Sequence, residues 1–131
     1  NLKNYVMVND LKKDVIFFSN INNPKEFYKK ADLFILRSIY EGFGNVLVEA
    51  LQNKCPVITS NCKSGPMEII ENGKYGYYFN VGDYYELSNK IIKFIKNPKD
   101  LRKKTIQFKK IIKRFSLKEN SKNFEKLFEQ V

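Results

Sequence analysis

The sequence predicts an α/β fold in which helices cover both faces of a parallel sheet. Three observations carry that expectation. Two short apolar runs, ADLFIL (residues 31–36) and PVITS (residues 56–60), are β-branched or aromatic and bounded by turn residues, as buried parallel strands are. Between them, Val46, Leu47, Ala50 and Leu51 recur at spacings of three and four, which puts one apolar face on a helix over about residues 45–53. Gly42 and Gly44 fall where that helix begins. The order is strand, glycine loop, helix, strand, a βαβ unit, and such units bind ligands where the strand's carboxyl end meets the helix N-terminus.

Taken in order, residues 1–13 read as the end of a helix. VIFF, residues 15–18, reads as a first strand. Asn22-Asn23-Pro24 starts a helix over residues 24–30, with an Asn cap, proline in the first turn and Glu26 behind it. The second strand covers residues 33–36 and the third residues 57–60. Lys63-Ser64-Gly65-Pro66 makes a second loop at a strand's carboxyl end, followed by a short helix over residues 67–71 that Asn72-Gly73 closes as a left-handed cap. YGYYFN, residues 75–80, is a fourth strand. From Val81 the pattern is helical. Asp83 and Glu86 form a capping box before a stripe of Tyr84, Leu87, Ile91, Phe94 and Ile95. A further helix over residues 99–114 carries Leu101, Thr105, Phe108, Ile111 and Ile112. Ser116 and Glu119 box the start of a last one with Leu117, Phe124, Leu127, Phe128 and Val131.

Composition narrows the chemistry. With 43% hydrophobic and 15% aromatic residues among 131, the chain is expected to fold as one globular domain. It has no histidine, which removes imidazole acid–base chemistry and His-ligated zinc. Cys55 and Cys62 bracket a strand, beyond disulfide reach, so two free thiols in a cytoplasmic setting are expected. No apolar run approaches the roughly 20 residues of a membrane span, and NLKNYVMVND is not expected to be a signal peptide. The net charge of +10 is uneven: ten Lys/Arg face eight Asp/Glu in residues 1–82, and fourteen face six in residues 83–131. Between Lys99 and Lys118, nine basic residues stand against Asp100 alone. A solvated helix face, a peripheral contact with anionic membrane lipid and a nucleic-acid surface all fit such a cluster. No recognition motif supports the last, so no nucleic-acid partner is expected.

The glycine loop is the main candidate site. A helix N-terminus with glycine before it offers backbone N–H groups to phosphate. Glu49, one turn inside the helix, can accept hydrogen bonds from a ribose diol, and Glu41, before it, from sugar hydroxyls. A sugar-nucleotide diphosphate fits this pattern. So does a plainer arrangement in which Glu49 complements the helix dipole and Glu41 is a solvated turn residue.

The stretch from Glu41-Gly-Phe-Gly through Glu49-Ala50, then Lys54-Cys55-Pro56-Val57-Ile58, Ser64-Gly65-Pro66-Met67-Glu68 and Asn72-Gly73-Lys74-Tyr75-Gly76 resembles the donor-binding half of family-4 retaining glycosyltransferases. The ordered series covers about residues 15–96. The resemblance implies a Rossmann-like domain, the C-terminal half of a two-domain GT-B architecture. It implies that Glu41 is the catalytic-site carboxylate, holding the transferred sugar's hydroxyls near the anomeric carbon, and that Glu49 binds the ribose. Backbone N–H groups of Gly42, Phe43, Gly44, Asn45 and Val46 would meet sugar and diphosphate. Ser19, Asn20, Ile21 and Asn22 would lie beside the nucleobase, and Ser64, Gly65, Pro66 and Glu68 would form a rim. UDP is the expected donor nucleotide and GDP the alternative, with no cofactor and no obligatory metal. The leaving phosphate would itself help deprotonate a carbohydrate or lipid-linked acceptor, with retention of anomeric configuration.

There are departures from the family. Its Arg and Lys that clamp the diphosphate, in an upstream G-R-x-x-x-x-K-G segment, are not in this sequence. Neither are the acceptor domain and two sheet strands that the family places between those at 15–18 and 33–36. The expectation is therefore an N-terminally truncated fragment, residues 1–131, with helices from 83 to 131 and no turnover alone. Its sheet must pair the strands across the gap or leave an edge open. The rival readings are a nucleotide-sugar epimerase of GT-B architecture and a non-catalytic basic binding module.

Overall fold

The computed structural model describes residues 1–115. The predicted final helix lies outside the described residues. The elements are α1 (Leu2–Val8), α2 (Pro24–Lys30), β1 (Phe34–Leu36), α3 (Asn45–Gln52), β2 (Val57–Ser60), α4 (Pro66–Ile69), β3 (Tyr77–Phe79), α5 (Tyr84–Lys96) and α6 (Pro98–Gln107), followed by 3₁₀ turns at Phe108–Lys110 and Ile112–Phe115. The sheet has the order β1-β2-β3 and is parallel throughout, with Ile35 opposite Ile58 and Thr59 opposite Tyr78.

Alternation along β2 divides the core. All four β2 residues are buried. Val57 faces a cluster with Tyr28, Leu47, Val48, Ala50, Leu51 and Phe108, while Ile58 faces one with Tyr77, Phe79, Phe94 and Leu101. Helices α2, α3 and α4 supply the first cluster and α5 and α6 the second, so both faces are covered, as expected.

The run at residues 15–18 is not a strand. It carries no ladder, and Ile16, Phe17 and Phe18 are 73%, 47% and 57% exposed. An apolar run becomes a strand only when a neighbouring strand takes its N–H and C=O groups, and among the described residues none does so: the Val15 N–H donates within a local turn, to Leu11 O at 3.0 Å. Among the described residues the sheet therefore has three strands rather than four. Of the two alternatives posed by the gap, the open edge is the one found: among the described residues, β1 pairs on one side only.

Smaller differences follow from local geometry. Helix α3 buries Val48 in place of Val46, which points outward at 39% exposure. Asn23 precedes Pro24 without a side-chain cap bond. Half of the α5 capping box forms: Asp83 accepts from the Glu86 N–H at 2.8 Å, but the Glu86 carboxylate accepts from the Asn80 N–H instead of returning to Asp83. Tyr84 and Ile95 are exposed, so the core-facing stripe of α5 narrows to buried Phe94 with partly buried Leu87 and Ile91. The last described helix ends at Gln107, and the chain tightens into 3₁₀ turns. Residues three apart then share a face, which lets Phe108, Ile111, Ile112 and Phe115 reach the first cluster. The left-handed turn after α4 spans Glu71, Asn72 and Gly73, with the Asn72 N–H donating to Met67 O at 3.0 Å. Cys55 and Cys62 are free and buried, and burial pushes the Cys55 thiol up to about 11.

Candidate functional site

Because β1 and β2 are parallel, their carboxyl ends lie at one edge of the sheet. The loops that leave them, residues 37–44 and 61–65, run side by side. A pair of serines joins the strand ends: the Ser38 N–H donates to Ser60 Oγ at 3.1 Å, and Ser60 Oγ–H donates to Ser38 O at 2.6 Å. Ser38 Oγ–H also donates to Glu41 Oε2 at 3.0 Å, and Ser64 Oγ–H donates to Glu41 O at 2.6 Å. One loop thus holds the side chain of Glu41 and the other holds its backbone. The loops touch so closely that a Cβ on Gly65 would sit 2.3 Å from Phe43 O. Gly44 takes φ +86° as the N-cap of α3, a conformation that a side chain would strain. Helix α3 then begins at the sheet's carboxyl edge; the Leu47 N–H already donates to Gly44 O at 2.8 Å, which leaves the N–H groups of Asn45 and Val46 as the first-turn donors without an intrahelical acceptor.

Glu49 sits in the second turn of α3, half-buried. Its Oε2 accepts from the Tyr28 hydroxyl at 3.3 Å. Burial and the Glu49 charge push the Tyr28 phenol up to about 12. The two side chains line an open cleft of about 380 Å³ with Pro24, Lys25, Gln52, Asn53 and Ile112. Pro24 and Tyr28 also line a larger cavity of about 530 Å³, whose other walls include Ile21, Phe27 and Phe34.

Among the residues expected at the site, the structure brings together Glu41, Gly44, Ser64, Gly65 and Pro66. Gly65 and Pro66 are buried, the latter within van der Waals reach of a Cβ on Gly44. Gly42, Phe43, Asn45 and Val46 are exposed around the helix start, as backbone-presenting residues can be. Glu49 opens on the cleft with Tyr28. Ser19, Asn20, Ile21 and Asn22 are all exposed, and of these Ile21 lines the larger cavity. Glu68 is exposed in the first turn of α4.

With the geometry in place, comparison with known proteins decides the family. The profile described as "Glycosyl transferases group 1" matches residues 1–112. The chain belongs to that family. The capsular polysaccharide biosynthesis glycosyltransferase CapM of Staphylococcus aureus is 35% identical over 89 residues, 68% of this chain and 23% of that protein. The poly(glycerol-phosphate) alpha-glucosyltransferase of Bacillus subtilis is 31% identical over 106 residues, 81% of this chain and 16% of the relative. The chain thus spans less than a quarter of the length of either relative. Among solved structures, Anabaena HepE in complex with UDP superposes with a TM-score of 0.89 at 23% identity, over 99% of this chain and 36% of that one. This likeness establishes the fold, the C-terminal part of the GT-B architecture.

Ser38, Ser60 and Tyr28 of this glycosyltransferase-family chain escaped the motif reading. Ser38 and Ser60 clasp the strand ends, and Tyr28 touches Glu49 across 21 positions of sequence. Ser38, three residues before Glu41, is the one that local spacing signals. The other two depend on tertiary packing. Phe115 was likewise missed. It stacks on Phe108 at 5.5 Å and lies 5.9 Å from the Phe43 ring, so the end of the described chain leans on the glycine loop.

Proposed function

We propose that residues 1–131 form the donor-binding unit of a retaining glycosyltransferase that moves a sugar from a nucleoside diphosphate to a polysaccharide, glycolipid or glycoprotein-precursor acceptor. One observation carries the reading: two carboxylates flank a glycine-capped helix start at the carboxyl edge of a parallel sheet, one before α3 and one in its second turn.

The diphosphate lies at the N-terminus of α3, where N–H groups and the helix dipole oppose its charge without an obligatory metal. Glu41, held by Ser38 and Ser64, accepts from hydroxyls of the transferred sugar and fixes the anomeric carbon. Glu49 accepts from the ribose hydroxyls. The bond from the anomeric carbon to the phosphate oxygen breaks as the bond to the acceptor oxygen forms on the same face, and the acceptor's proton passes to the departing phosphate. Stabilisation of that leaving group is the main catalytic effect. UDP is the proposed nucleotide. Ile21 and its neighbours Ser19, Asn20 and Asn22 border the base, and Ser64, Gly65, Pro66 and Glu68 the opposite rim. The acceptor domain and the diphosphate's cationic clamp come from outside this chain.

Lys99, Lys103, Lys109 and Lys110 are exposed, which fits a solvated helix face and equally a peripheral contact with anionic lipid, where lipid-linked acceptors would be met. Among the described residues no helix is long and apolar enough to cross a membrane.

The test uses the intact enzyme and measures release of UDP from UDP-sugars in the presence of acceptor. Glu41→Ala is expected to lower kcat by about a hundredfold, because a misplaced sugar loses its alignment. Glu49→Ala should raise the donor KM. Charge reversal at Lys103, Lys109 and Lys110 should leave activity on a soluble acceptor intact. The opposite ranking, with carboxylate variants active and charge-reversed ones dead, would favour a basic binding module.

A further inference from the structure

Tyr28 stands out as a buried, proton-retaining group that the proposed mechanism does not use. The residue is 8% exposed, and its ring packs edge-on against Phe34, with centroids 5.4 Å apart and planes at 87°. It belongs to the core cluster that also holds Leu47 and Leu51 of α3. The hydroxyl is therefore fixed by packing on two elements, and it reaches Glu49 Oε2 at 3.3 Å. Among the described residues it is the one donor to that carboxylate. The bond is long for O–H···O. With its pKa pushed up to about 12, the phenol keeps its proton and stays a donor at neutral pH.

We propose that Tyr28 is a positioning residue for Glu49, holding one carboxylate oxygen so that the remaining acceptor sites face a vicinal diol in the cleft of about 380 Å³. The inference rests on the donor-site reading above. A carboxylate has about four acceptor sites over its two oxygens. Tyr28 takes one on Oε2, leaving Oε1 and the second Oε2 site for the two ribose hydroxyls. Without the phenol the Glu49 side chain could turn among its rotamers, and the diol would have to immobilise it on binding. Gln52 and Asn53 border the same cleft one turn on.

The experiment compares UDP with 2′,3′-dideoxy-UDP by calorimetric titration of the intact enzyme, as wild type, Tyr28→Phe and Glu49→Gln. The phenylalanine retains the ring and its contact with Phe34, and removes only the hydroxyl. Tyr28→Phe should weaken UDP by about three- to tenfold, the range for one lost hydrogen bond, while changing dideoxy-UDP affinity by less than about twofold. Glu49→Gln should show the same discrimination. Equal weakening of both nucleotides by Tyr28→Phe would make the residue merely structural and overturn the proposal. No effect of Tyr28→Phe on UDP, with Glu49→Gln still discriminating, would overturn the Tyr28 role alone. If Glu49→Gln fails to distinguish the two nucleotides, the donor-site reading falls, and the role of Tyr28 with it.

Discussion

The two apolar runs at residues 57–60 and 15–18 have opposite surroundings. Val57–Ser60 lies at the centre of the sheet, paired on both sides and enclosed by helices on both faces. Residues 15–18 pair with nothing described, and three of their four side chains are exposed. The candidate site spans the same contrast. Its Glu41 half is anchored to the ends of β1 and β2 by serines and by close loop packing. Its Glu49 half faces a cleft walled by α2, and the first thirty residues, to which α2 belongs, bury only Val6 and Tyr28. Under the proposed function, the rigid half would align the reacting sugar and the open half would admit and release the nucleotide.

The largest expected effect tests the enclosed region. Ile58→Ala should destabilise the chain by about 2–5 kcal/mol in urea denaturation, from lost burial plus a cavity between β2 and α5. A change under 1 kcal/mol would mean that the sheet centre is less closely packed than described. Gly65→Ala comes next. Its φ of +68° and the 2.3 Å approach of a Cβ to Phe43 O should cost about 2–3 kcal/mol and displace the Glu41 loop, read as a lower melting temperature and loss of the Ser64–Glu41 contact in a crystal structure.

A smaller effect follows from pH. Burial is the first cause that raises both Tyr28 and Tyr77 from 10.0 to about 12, joined by the Glu49 charge for Tyr28 and by the Asp100 hydrogen bond for Tyr77. Between those values the unfolded chain loses protons that the native chain retains. Their contribution is therefore whole below pH 10 and declines as pH rises toward 12. Tyr28→Phe should show a shallower decline than wild type in denaturation midpoints across this window. The smallest effect tests the open region: Ile16→Ser should shift stability by no more than about 0.5 kcal/mol. A large loss would show that residues 15–18 are covered in solution.

Much of this was readable from local pattern. Strand β2 has the expected bounds, because a short β-branched run between Pro56 and Asn61 is bounded by turn residues. The start of α3 was legible through Gly44, and the carboxylates through their spacing about it. What failed depended on partners distant in sequence. The VIFF run looks like a strand because its side chains are those of one, but pairing belongs to the neighbouring backbone. The choice of Val48 over Val46 depends on where β2 and α4 meet α3, and helical period alone admits both. Tyr28 could not be assigned to Glu49 before α2 was seen against α3.

The most direct test is a titration of the protein with UDP and with GDP followed by amide NMR, with Glu49→Ala alongside. The account predicts shifts at Gly42–Val46 and at Ile21, larger for UDP, that disappear in the variant. Binding that instead perturbs α5 and α6, and persists without Glu49, would contradict it.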